Sequence, residues 1–251
     1  LSFSVLADSA MEHYRGGFYN PAMFVAPAVS ALTLGTAARA LARGGRVRRT
    51  DAAVYGAAAL AGLAGTGFHT WNVLRRTGGL RWENVFYGAP VGAPLGITYA
   101  GLYGLAARHA ATGNGRPGTT LPPLLGWAAA AGLAGTAAEA GLLHFRGAFQ
   151  DPVMYLPVTV PPLAALALGA AVARPSASRR RTAVRLLWGT VGMGLAGVGF
   201  HAVGVARNMG GWKNWSQNLL QGPPLPAPPS FTGMALAGLA AIELMEGGAR
   251  A

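Results

Sequence analysis

Along this chain, long Ala/Gly/Leu-rich runs alternate with short breaks rich in Arg, Pro or Gly. The apolar runs cover residues 21–42, 51–74, 84–108, 121–145, 152–174, 182–206 and 229–247. Each is close to the ~20 residues that a helix needs to cross a bilayer. Residues 1–14 read as the C-terminal end of one more. The pattern predicts an all-α polytopic membrane bundle of seven to eight transmembrane helices.

The runs repeat one another. Gly62-Leu63-Ala64-Gly65-Thr66-Gly67-Phe68-His69 returns as Gly132-Leu133-Ala134-Gly135-Thr136-Ala137-Ala138-Glu139, and again as Gly194-Leu195-Ala196-Gly197-Val198-Gly199-Phe200-His201. A weaker copy opens the chain and puts Asp8 at the same position. A longer repeat lies over these. His13-Tyr14-Arg15-Gly16-Gly17-Phe18 matches His144-Phe145-Arg146-Gly147-Ala148-Phe149, and Asn20-Pro21-Ala22-Met23 matches Asp151-Pro152-Val153-Met154. His69, Arg75, Gly78-Gly79 and Glu83-Asn84 likewise match His201, Arg207, Gly210-Gly211 and Gln217-Asn218. Residues 1–120 and 121–251 are therefore read as two halves from a tandem duplication, each made of two helix pairs. A pseudo-two-fold axis along the membrane normal should relate them. The first repeat lacks the leading helix of the others, so further residues are expected before Leu1. The small residues of the GLAG copies allow close helix approach, and the copies are expected to pack against one another near the axis.

Composition agrees with a membrane bundle. Of 251 residues, 52% are hydrophobic and only 11% charged, with 38 glycines; soluble domains carry about twice that charged share. The net charge is +12. Its arginines flank the apolar runs and form no basic groove with interleaved aromatics, so nucleic acid is excluded as a partner. Most lie in 39–49, 108–120 and 174–185. By the positive-inside rule those loops are cytoplasmic, and the ends bearing the repeated polar residues face the periplasm of a bacterial inner membrane. With no cysteine, thiolate metal sites and Fe–S clusters are excluded.

The candidate chemistry sits where each repeat ends. Asp8, His69, Glu139 and His201 fall at one equivalent point. His13 and His144 follow the carboxylates by five residues, and the Arg-Gly that comes after lets the helix end there. Imidazole with carboxylate suits Fe, Mn or Zn, and facing helices of a bundle commonly supply such ligands. In that arrangement Asp8, His13, His69, Glu139, His144 and His201 are the metal ligands or their supports, enough for a second metal. Haem is the rival, with His69 and His201 as axial ligands and Arg75 and Arg207 on the propionates; quinone contact is a further version. Asp151 and Asn20, each before a proline, read as helix N-caps. The proline run at 222–229 reads as a stiff extended connector.

No Walker loop, dinucleotide fingerprint, nucleophile elbow or HExxH is present. The expected function is a small integral subunit with a His/carboxylate metal, haem or quinone site near its outer face. It would be an accessory or electron-transfer subunit beside other membrane or periplasmic proteins, in contact with membrane lipid. The alternatives are a cofactor-free assembly subunit and a small transporter built from parallel repeats.

Overall fold

The computed structural model describes residues 1–111 and 120–249. Among these residues all regular structure is helical. The α-helices are α1 (Ser2–Arg15), α2 (Val25–Ala42), α3 (Arg49–Leu74), α4 (Trp82–Phe86) and α5 (Leu95–Ala111), then α6 (Leu121–Arg146), α7 (Leu156–Ala173), α8 (Ala177–Arg207), α9 (Trp215–Gln221) and α10 (Pro229–Ala249). Short 3-10 turns at Pro21–Phe24 and Pro152–Tyr155 lead into α2 and α7. Among the described residues four helices are long and apolar enough to cross a membrane: Pro21–Ala42 with its 3-10 turn, Leu121–Arg146, Pro152–Ala173 with its turn, and Ala177–Arg207. This is the character of a membrane protein.

Local chemistry sets the ends. Asn20 and Asp151 cap the 3-10 turns as their place before proline suggests, accepting from the N–H of Ala22 at 3.0 Å and of Val153 at 3.1 Å. Asp51, buried on the first turn of α3, takes the Arg48 N–H at 2.8 Å and pairs with Arg43 at 3.4 Å. Ser176 caps α8 through the Arg179 N–H. One apolar run is split. Residues 84–108 form no single helix, because Gly88, Pro90, Gly92 and Pro94 break them, leaving α4, an irregular stretch and α5. Proline removes the N–H that a continuing helix needs and clashes with the preceding turn.

The helices pack in order around two bundles. In the C-terminal set α6 packs on α7, α7 on α8, α8 on α10 and α10 back on α6. In the N-terminal set α1, α2, α3 and α5 follow the same order. The sets meet where α5 touches α6 and α1 touches α10. The main core lies in the C-terminal set, around Leu133, Leu168, Leu187, Phe231, Met234 and Ile242.

The GLAG segments do not face one another. Gly62 lies under Thr98 and Gly65 under Pro94 of the α5 entry, while Gly194 lies under Thr232 and Gly197 under Pro228 at the start of α10. Gly132 lies under Met234 of α10. Each small stripe receives a proline-led helix start or a long side chain instead of another stripe. Thr98 then donates to the Ala59 carbonyl at 3.3 Å, and Thr232 to that of Val191 at 3.1 Å. Backbone approach this close suits interhelical packing in lipid, where van der Waals fit replaces the hydrophobic drive.

The proline run at 222–229 also differs from expectation. Only its first residues are extended; residues 225–228 turn, with Ala227 N–H on the Pro224 carbonyl. Its carbonyls are needed inside the bundle, as the site makes plain.

Candidate functional site: four histidines held by loop carbonyls

All six candidate ligands sit near one end of the bundle, and all six are half-buried. His13 and His144 lie in the last turns of α1 and α6; His69 and His201 lie one turn before the ends of α3 and α8. Each histidine turns one ring nitrogen onto the backbone that follows. His13 Nδ1 bonds the Met23 carbonyl at 2.5 Å and His144 Nδ1 that of Met154 at 2.9 Å. His69 Nδ1 bonds the Pro90 carbonyl at 2.6 Å and His201 Nδ1 that of Pro224 at 2.7 Å. A carbonyl oxygen can only accept, so the Nδ1 carries the proton in all four rings. The lone pair of each neutral imidazole is then on Nε2.

The loops that supply these carbonyls are themselves built to a shape. After His13 the chain turns at Gly17 and Phe18, and the Phe18 N–H closes on the His13 carbonyl at 3.0 Å. After His144, Phe149 does the same on the His144 carbonyl at 3.0 Å. Phe18 and Phe149 adopt positive φ, 45° and 46°, where a bulky side chain is a genuine outlier and the cost is about 1–3 kcal/mol. The strain places each ring edge-on to its imidazole, with centroids 6.1 Å apart in both cases. Phe18 also stacks on Phe24, and Phe149 on Tyr155. Behind His69 and His201, Asn84 donates to the carbonyls of Thr77 and Gly79, and Asn218 to those of Met209 and Gly211.

The six residues do not converge on one point. His13 lies close enough to His69 to interact electrostatically, and His144 likewise to His201. Asp8 and Glu139 interact in the same way with each other. Electrostatic neighbours are thus His13 with His69, His144 with His201, and Asp8 with Glu139. Among the described residues no three of His, Asp or Glu form a group that could hold a metal ion as they stand. The Glu139 carboxylate crosses to the N-terminal set, where it takes the Ala93 N–H and lies over Gly92. Its Oε1 is buried without a hydrogen-bond partner among the described residues.

Arg75 and Arg207 are exposed at their helix ends. Arg207 pairs with Asp151 at 3.6 Å. The sequence reading missed two arginines that join the sets. Arg15 Nη2 donates to the carbonyls of Leu219 and Gly222 at 2.8 and 2.9 Å. Arg146 Nη2 reaches the Val85 carbonyl at 3.4 Å. Both stand two residues after a repeated histidine, which was the available signal.

No family model, curated protein or solved structure matches this chain.

Proposed function

We propose that this protein is an integral membrane subunit, made by tandem duplication of residues 1–120 and 121–251, that binds metal through two histidine pairs. His13 with His69 serves the first half, and His144 with His201 the second. Asp8 and Glu139 stand between the halves and balance charge. The observation that carries this reading is the Nδ1-to-carbonyl bond made by all four histidines. Ligating histidines almost always donate their second nitrogen in this way, which fixes the tautomer and aims Nε2 at the metal. The buried, unpartnered Glu139 Oε1 supports it, since buried polar atoms ordinarily find a partner. The donor set suits Fe, Mn or Zn.

Duplication is supported by bonds that recur at equivalent residues: His13 with His144, Asn84 with Asn218, Thr98 with Thr232. The α1, α2, α3, α5, α6, α7, α8 and α10 helices are then the seven to eight spans, with the histidine end outside a bacterial inner membrane because the opposite loops carry most of the arginine. Short loops between the described helices suit an accessory or electron-transfer role beside other membrane or periplasmic subunits.

A second reading, a cofactor-free assembly subunit, draws on the same bonds: four imidazoles that only latch loops to helix ends. Elemental analysis and a visible spectrum separate the two. Protein purified in mild detergent without chelator should carry Fe, Mn or Zn, and a His69→Ala/His201→Ala variant should lose it. Metal-free wild-type protein that keeps its fold would support the latch alone, and a Soret band lost in the variant would transfer the histidines to haem.

A further inference from the structure

We infer that the cleft between α4 and α6 binds an anionic phospholipid, with one acyl chain along the groove and the headgroup phosphate on Arg146. This rests on the membrane and duplication reading above, but not on the metal.

The cleft has a volume of about 390 Å³ and is lined by Trp82, Val85, Ala138, Gly141, Leu142 and Phe145. Its walls are apolar, and the large ones stay open: Trp82 is 58% exposed and Phe145 54%. It lies on the outer wall of the bundle, where the N-terminal set meets the C-terminal set. Trp82, Phe86 and Phe145 pack together at one side of it, with centroids 5.6 to 6.3 Å apart. A soluble protein would rarely leave such a patch bare; at the level of lipid headgroups, Trp and its neighbours form the usual interfacial belt.

What selects an anionic occupant is the charge at the rim. The Arg146 guanidinium stands 5.3 Å over the Phe86 ring and makes a long bond to the Val85 carbonyl. Its nearest acid is Glu139, which feels the guanidinium at a distance without an ion pair between them among the described residues. The equivalent residue of the other half behaves differently. Arg15 is held by Glu12 at 2.7 Å and by two carbonyls, so its charge is already answered. The position matching Glu12 is Leu143, and the position matching Trp82 is Ser216. One half thus ties its arginine to a carboxylate at 2.7 Å, and the other leaves its arginine without a direct ion pair among the described residues, beside an apolar groove. Basic pockets at membrane helices recognise anionic headgroups by this chemistry.

Native mass spectrometry of the full chain, with phosphatidylglycerol or phosphatidylcholine of identical acyl chains as probe, tests the site. Wild type should retain one phosphatidylglycerol about fivefold more tightly, the share expected of one basic residue. Arg146→Gln should bind the two lipids equally, while Arg146→Lys and Arg15→Gln keep the preference. Ala138→Leu should weaken both lipids together by filling the groove. Circular dichroism of each variant confirms retained helix. Equal binding by wild type, or a preference that survives Arg146→Gln, overturns the lipid site. Metal content measured on the same samples reports on the histidines separately, and recovery of the protein from the aqueous fraction would overturn the membrane reading itself.

Discussion

At the scale of single residues, the histidine tautomers are the most constrained feature. Four carbonyl oxygens face four Nδ1 atoms, and only N–H can occupy that gap favourably. Nitrogen NMR of selectively labelled, metal-free protein should therefore show four neutral rings protonated at Nδ1. A ring protonated at Nε2 in the neutral state would remove that histidine from the ligand set. The two asparagines behind the site make a parallel case. Asn218 is buried and its amide holds two loop carbonyls, so Asn218→Ala should destabilise the fold by about 1–3 kcal/mol, the net worth of two hydrogen bonds. Thermal unfolding in detergent measures it; an unchanged midpoint would mean that the loop is held by something else. The sequence made the histidines and the asparagines visible as repeated letters. It could not reveal that their partners are backbone carbonyls, because a carbonyl has no letter.

At the scale of the helix, small residues decide which neighbours can approach. A β-carbon at Gly62 would collide with the Thr98 backbone and the Pro94 carbonyl, whereas one at Gly67 would meet nothing within 4 Å. Gly62→Leu should therefore lower the unfolding midpoint, by at least the ~1–3 kcal/mol of an overpacked core, while Gly67→Leu should leave it nearly unchanged. Equal effects would contradict the close approach of α3 and α5. Most helices were legible, since long apolar runs leave little choice. Two features were not. The run at 84–108 looked continuous by hydropathy, although Gly88, Pro90, Gly92 and Pro94 break it. The GLAG stripes looked self-complementary, although Pro94 and Pro228 fill them. Hydropathy counts apolar atoms; it does not say which small surface a proline ring will enter.

At the scale of the whole molecule, the two sets of helices hold each other by exchanged contacts. Arg15 reaches across to Leu219 and Gly222, and Arg146 reaches back to Val85. Under the proposed duplication Val85 and Leu219 are equivalent, so the exchange is what a two-fold contact requires. Ser4 and Ser230 also meet, with Oγ atoms 2.9 Å apart. The chain has no cysteine, so Ser4→Cys/Ser230→Cys offers a clean probe. Mild oxidation should consume both thiols within one chain, as read by thiol labelling; two thiols left free would contradict the packing of α1 on α10. The central claim, one histidine pair for each half, is tested most directly by counting metal. Wild type and two double variants, His13→Ala/His69→Ala and His144→Ala/His201→Ala, should be purified without chelator and measured for Fe, Mn and Zn per chain. The account predicts about two equivalents in wild type and about one in each variant, since each half supplies its own ligating pair. One equivalent in wild type that disappears from both variants would mean one shared site, and no metal in any sample would leave the histidines as latches.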